Sequence, residues 1–253
     1  MSIETKNPLG EQPVNRLLSQ FAIPSIISML VGSLYNIVDQ FFIGQRVGEL
    51  GNAATNIAFP LSTSCLALAL LIGIGGSSAF NLAMGSGDDK KAVHLLGNAV
   101  VLLAGSGLFL SIITFLFLKP LLLFFGSPKA VLPFAIEYTK VTAFGFPFLL
   151  LGTGGGHLIR ADGRPRMTMV CNLIGAVINT VLDALFVFGL NLGMTGAALA
   201  TVIGQMVSGI MAIICLMHGK TVSIHKEHLF VKWENVTRIA SLGMAPCSNQ
   251  VAM

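Results

Sequence analysis

RLLSQFAIPSIISMLVGSLYNIVDQFFIG, residues 16–44, decides the fold. After Arg16, the run Leu17 to Val38 carries no charge over 22 residues. As a helix it spans about 33 Å, enough to cross the hydrocarbon core of a bilayer. Asp39 then interrupts, and the apolar pattern resumes at once with Phe41, Phe42 and Ile43. A carboxylate inside membrane-spanning sequence costs roughly 2.5–3.5 kcal/mol on insertion scales, so it is usually kept for a reason. One reading places Asp39 at headgroup level near a helix end. The other makes it a cation or proton site, because a second apolar run carries a similar carboxylate, Asp183.

Working outward, composition agrees with the stretch. Hydrophobic residues make up 54% of the 253 and charged residues 10%, with a mean hydropathy of +0.80. Soluble domains carry about 25% charged residues, so a chain like this is a polytopic membrane protein. The net charge of +4 is spread through loops and argues for topology, not for a nucleic-acid partner. Cys65, Cys171, Cys215 and Cys247 fall in apolar segments at irregular spacings and read as small hydrophobes. Further apolar stretches run from Asn52 to Ser86 (interrupted by Pro60), Val93 to Leu118, Val131 to Ile159, Met167 to Gly189 and Met194 to Met217. Residues 1–15 lack the basic start, short apolar core and cleavage site of a signal peptide, so the first run is expected to be a retained span.

Six spans with a cytoplasmic N-terminus put eleven basic residues inside: Lys6, Arg16, Lys90, Lys91, Arg160, Arg164, Arg166, Lys220, Lys226, Lys232 and Arg238. Four lie outside, at Arg46, Lys119, Lys129 and Lys140, an asymmetry that fixes orientation. The expected organisation is a cytoplasmic segment 1–15, a six-helix bundle 16–217, a cytoplasmic linker 218–237 and the start of a seventh helix at 238–253. Arg238, Ser241 and Pro246 repeat the offsets of Arg16, Ser19 and Pro24. That is the layout of a transporter built from parallel repeats, cut soon after its second half begins; a chance match of Arg-x-x-Ser before an apolar stretch is the alternative.

Three polar pairs carry the chemistry. Tyr35 and Asp39, Asn179 and Asp183, and Thr201 and Gln205 are each four residues apart, so each pair shares one helix face. The topology puts all three in the outer half of the membrane at similar depth. Carboxylate, amide, phenol and hydroxyl oxygens at one level suit a hard cation, and the carboxylates can instead hold a proton. Helix-to-helix hydrogen bonding is the blander role. Other motifs fail. Gly219-Lys220-Thr221 lacks the upstream glycine of a P-loop, where Ile214 stands, and Gly73 to Ser78 lacks the third glycine of a dinucleotide fingerprint. His225 and His228 flank Glu227 without further metal ligands nearby, and no spacing pairs a nucleophile with a base. No cofactor and no enzymatic activity are expected.

At these residues the chain resembles a family. The features are Pro24 with Tyr35 to Gly44, Gly85 to Ala92, Arg160 to Pro165, Asn179 to Asp183 and Gly193 to Thr201. Together they are similar to the multidrug and toxic compound extrusion (MATE) antiporters. The resemblance implies twelve helices in two lobes, of which this chain holds the first. It implies an N-lobe Na⁺ or H⁺ site at Asp39, Asn179, Asp183 and Thr201, with the Ala197 carbonyl one turn before. Tyr35 matches a tyrosine close to that site, Gln205 supports it, and Pro24 is a conformational position.

The expected function is an antiporter of the cell membrane that exports amphipathic or cationic compounds in exchange for Na⁺ or H⁺. Its partners would be the bilayer, those small substrates and the missing C-terminal lobe. The 11 Met and 17 Phe would repack around varied ligands, or equally face lipid. A lipid-linked oligosaccharide flippase of the same superfamily is the runner-up, and would line its cavity with arginine and lysine. A membrane enzyme acting on lipid head groups is the rival from another class, and a non-transporting scaffold is a further alternative for the lobe alone.

Overall fold

The structure is a computed structural model that describes residues 13–219 and 226–252. Most of the expected N-terminal segment, including Lys6, and residues 220–225 of the linker, with Lys220 and His225, lie outside them. Among the described residues the chain is all-α. Six helical stretches are long and apolar enough to cross a membrane, and they form one bundle.

The first span is α1 (Val14–Arg46) and the second α2 (Glu49–Gly85). Both run unbroken through a proline, Pro24 and Pro60. Proline removes an N–H from the ladder; nearby serines bond back to the helix, Ser28 Oγ to the Pro24 carbonyl and Ser64 Oγ to the Pro60 carbonyl, both at 2.8 Å. The third span, α3 (Asp89–Leu116), starts where Asp88 accepts from the Lys91 N–H at 3.0 Å, and a short α4 (Leu118–Phe124) follows. The fourth is split into α5 (Leu132–Thr142) and α6 (Phe146–Ala161) by a 3₁₀ turn at Ala143–Gly145. Pro147, in the first turn of α6, cannot donate back into the ladder, so the turn before it tightens. The fifth is α7 (Pro165–Asp183), which widens into a π turn at Ala184–Gly189. The sixth is α8 (Gly193–Met217).

Two apolar cores sit at opposite ends of the bundle. The smaller one surrounds Ile43, Ala54, Leu122, Val187, Met194 and Ala197, near the turns that follow spans one, three and five. The larger joins α2, α3, α6 and α8 toward the other end. Outside them, α1 leaves Met29, Leu34, Ile37 and Phe41 exposed, a face that needs apolar surroundings.

The end of the chain departs from expectation. Residues up to 237 read as linker, yet α9 (Trp233–Ala252) is already helical from Trp233. The cause is Asn98 on α3, which is fully buried. Its Nδ2 donates to the carbonyls of His228 (3.2 Å) and Phe230 (2.8 Å). Its Oδ1 accepts from the Lys232 N–H and Asn235 Nδ2, each at 3.0 Å. Lys91 adds an ion pair to Glu234 at 3.4 Å. The charged stretch is therefore docked on the bundle. Beyond it α9 crosses α2 at Gly75 and Gly243, where a Cβ would overlap the carbonyl oxygens of Ile239 and Leu71.

Candidate cation site

The α1 face that carries Tyr35 and Asp39 lies against α7, which carries Asn179 and Asp183. Four residues make little more than one turn, so each pair stacks on its helix and the two pairs meet. Asp39 is 6% exposed, Asn179 3% and Asp183 0%. The two carboxyls are close enough to interact directly, and Asn179 interacts with Asp183. α8 closes the third side: Asn179 Nδ2 lies 3.4 Å from Thr201 Oγ1. Ala197, one turn earlier, is fully buried. Asp183 is the last α-helical residue before the π turn, so the carboxylate sits where the winding changes. Such turns are frequent at functional positions.

The oxygens are left without donors. Asp39 Oδ1, Asn179 Oδ1 and both Oδ atoms of Asp183 have no hydrogen-bond partner among the described residues. Buried polar atoms are nearly always paired, so this cluster of unpaired oxygens has acceptor capacity to spare. Two adjacent carboxylates repel, and a bound cation or a shared proton relieves that. An all-oxygen set suits a hard cation such as Na⁺ or a proton, not a soft metal.

Tyr138 was missed by sequence reasoning. It lies on α5, half-buried, where its phenol interacts with Thr201 and feels the charges of Asp39 and Asp183. It stands between Glu137 and Lys140, in what reads as the polar entrance of a span. Tyrosine at such a place ordinarily marks the membrane interface. The one available signal was depth, since Tyr138 lies a few residues into the fourth run, as Thr201 does in the sixth.

Below the carboxylates a cavity of about 180 Å³ opens between α1, α6, α7 and α8. Tyr35, Asn179 and Thr201 line its top, and Ser28, Asn172 and Ser208 its walls. Gln205 also lines it, with its Oε1 packed on Gly145 and without a partner. The walls mix hydroxyls and amides with glycines, Phe148, Leu149 and Ala176. No methionine is among them and Phe148 is their one phenylalanine; Met29, Met217 and Met244 are exposed on the outside of the bundle. Pro24 is not brought to the site: fifteen residues of helix put it about 22 Å from Asp39.

Known proteins are similar to this chain in sequence and fold. The MatE family model matches residues 24–185. The multidrug export protein MepA of Staphylococcus haemolyticus is 26% identical over 219 residues, covering 86% of this chain and 48% of the relative. The FAD transporter of Shewanella oneidensis is 27% identical over 246 residues, covering 94% of this chain and 54% of the relative. A crystal structure of MATE in complex with MaD3S superposes with a TM-score of 0.86 at 26% identity, over 93% of this chain and 53% of its own. The chain thus spans about half the length of the relatives it matches, and the half it spans is one six-helix lobe. With the match running from Pro24 in the first span to Leu185 just past Asp183, the chain belongs to the MatE family.

Proposed function

We propose that this lobe supplies the ion-coupling half of a secondary antiporter, which exports amphipathic or cationic compounds in exchange for Na⁺ or H⁺ across the cell membrane. The observation that carries the reading is the buried Asp39 and Asp183 pair, of which Asp39 Oδ1 and both Asp183 oxygens find no donor among the described residues. Asp39, Asn179, Asp183 and Thr201, with the Ala197 carbonyl, hold the ion. Exchange follows if ion and substrate favour different lobe arrangements, because a ligand with equal affinity for both states shifts nothing. Sites in such transporters lie where repeats meet, so a second lobe completes the protein. The N-terminus faces the cytoplasm, as the basic residues direct. The cavity is lined by neutral side chains, with no arginine or lysine among the described residues, which favours this reading over a flippase, whose pyrophosphate cargo calls for them.

The test is efflux in proteoliposomes from this lobe joined to a second one, with an imposed Na⁺ or pH gradient. Wild-type protein drives efflux, while Asp39→Asn and Asp183→Asn at matched insertion do not. Wild-type rates in both variants would leave the aspartates as structural polar residues. The lobe alone confers no drug resistance, and co-expressing the second lobe restores it; full efflux by the 253-residue chain alone rejects the two-lobe scheme.

A further inference from the structure

α8 carries the Thr201 hydroxyl and the Ala197 carbonyl, and both of its ends are gripped by charged side chains, one from the fourth span and one from the turn that follows it. At its start, the Glu137 carboxylate on α5 accepts from the Thr195 N–H at 3.1 Å and from the Thr195 hydroxyl. No α8 side chain caps that terminus, so Glu137 does the capping from another helix. At its finish stands Arg164, at the N-cap of α7, three residues past the end of α6. Its guanidinium donates to the carbonyls of Cys215 (2.6 Å) and His218 (3.1 Å). Asp162, 2% exposed, holds that guanidinium at 2.7 Å. The carboxylate meets the positive end of the helix dipole and the guanidinium the negative end. Between the grips Gly152 faces Ser208 and Gly155 faces Ala212, so the fourth span and α8 run parallel in one register.

We propose that Glu137 and Arg164 are positioning residues of the cation site: by holding both ends of α8 they set its axial register, and with it the depth of Thr201 and Ala197 against Asp183. Glu137 has the larger share, because it holds Thr195, two residues before Ala197 and six before Thr201. The end of α8 that carries Ala197 and Thr201 is thereby held by a single clasp just above them. A shift of one residue moves a helix by about 1.5 Å, which is large against metal–oxygen distances of about 2.3–2.6 Å for a cation such as Ca²⁺. The inference rests on the cation-site reading.

The experiment measures Na⁺ affinity and Na⁺ over K⁺ preference of the purified chain in detergent, together with its melting temperature. Glu137→Ala lowers Na⁺ affinity about tenfold and narrows the preference for Na⁺. Glu137→Gln keeps an acceptor for both Thr195 donors and stays within about threefold of wild type. Arg164→Ala lowers affinity by about threefold, and Arg164→Lys recovers part of it. Equal losses in Glu137→Ala and Glu137→Gln mean that the carboxylate acts by charge at a distance, and overturn the positioning role. So does a lower melting temperature in Glu137→Ala with unchanged affinity and preference. If Glu137→Ala does not insert, Thr195→Ala, which removes only the hydroxyl arm, still lowers affinity two- to threefold; no change in it overturns the proposal. A wild-type chain that binds neither Na⁺ nor a proton competing with it rejects the cation site itself, an outcome distinct from either of these.

Discussion

Asn98 and Asp183 are both fully buried polar residues in apolar helices, and they are treated in opposite ways. Asn98 uses the whole capacity of an amide, two donations and two acceptances, all to the segment that leads into α9. Asp183 has no donor for either oxygen among the described residues. A satisfied buried group ties structure together, while an unsatisfied one raises the energy of the empty state and rewards whatever binds there. Burial alone therefore does not separate glue from site. The hydrogen-bond inventory tells these two residues apart.

The sharpest way to break this contrast is Asn98→Ala. It strands two carbonyls and two N–H groups, and the fold should lose about 3 kcal/mol while Na⁺ affinity holds. Thermal unfolding in detergent that moved by less than about 0.5 kcal/mol would show the clamp to be idle. Next is Gly243→Val, which forces a side chain onto the Leu71 carbonyl. It should cost about 2 kcal/mol and loosen α9 first, read as faster proteolysis near Trp233; uniform cleavage along the chain would contradict it.

At the other residue the sign reverses. Asp183→Asn or Asp39→Asn should weaken Na⁺ binding at least tenfold, about 1.4 kcal/mol. The melting temperature should hold or rise, since a buried charge without a donor has been removed. The double variant should be little worse than either single, because the pair acts as one site; additive losses would mean two independent sites. Smallest is Thr201→Ala, which deletes one neutral ligand and should cost about threefold in affinity, roughly 0.7 kcal/mol. An effect as large as that of the aspartates would make Thr201 a principal ligand.

Much of this was legible because membrane sequence is simple. Runs of apolar residues marked the six spans, and a polar pair four residues apart stands out within them, which is how Asp39, Asn179, Asp183 and Thr201 were found. Tyr138 and Asn98 were not found for the same reason in reverse. Each lies close to a charged turn, Tyr138 beside Glu137 and Asn98 a few residues past Lys91, where a polar side chain is unremarkable. The docking of residues 228–237 was invisible as well, since its charges describe a solvated linker equally well and three of the four Asn98 partners are backbone atoms. Pro147 could have announced the 3₁₀ turn. Nothing in Ala184–Gly189 announces the π turn.

The double grip on α8 makes helix length a constrained quantity. From Thr195 to Cys215 a helix advances about 30 Å, close to the thickness of a bilayer's hydrocarbon core. The fourth span is the ruler against which that length is measured. One residue inserted between those points would turn the far end by about 100° and lift it by about 1.5 Å, so one grip or the other would open. Substitutions in the middle of α8 can then be absorbed by repacking, but insertions and deletions there cannot, and any change of length must be matched by one between Glu137 and Arg164.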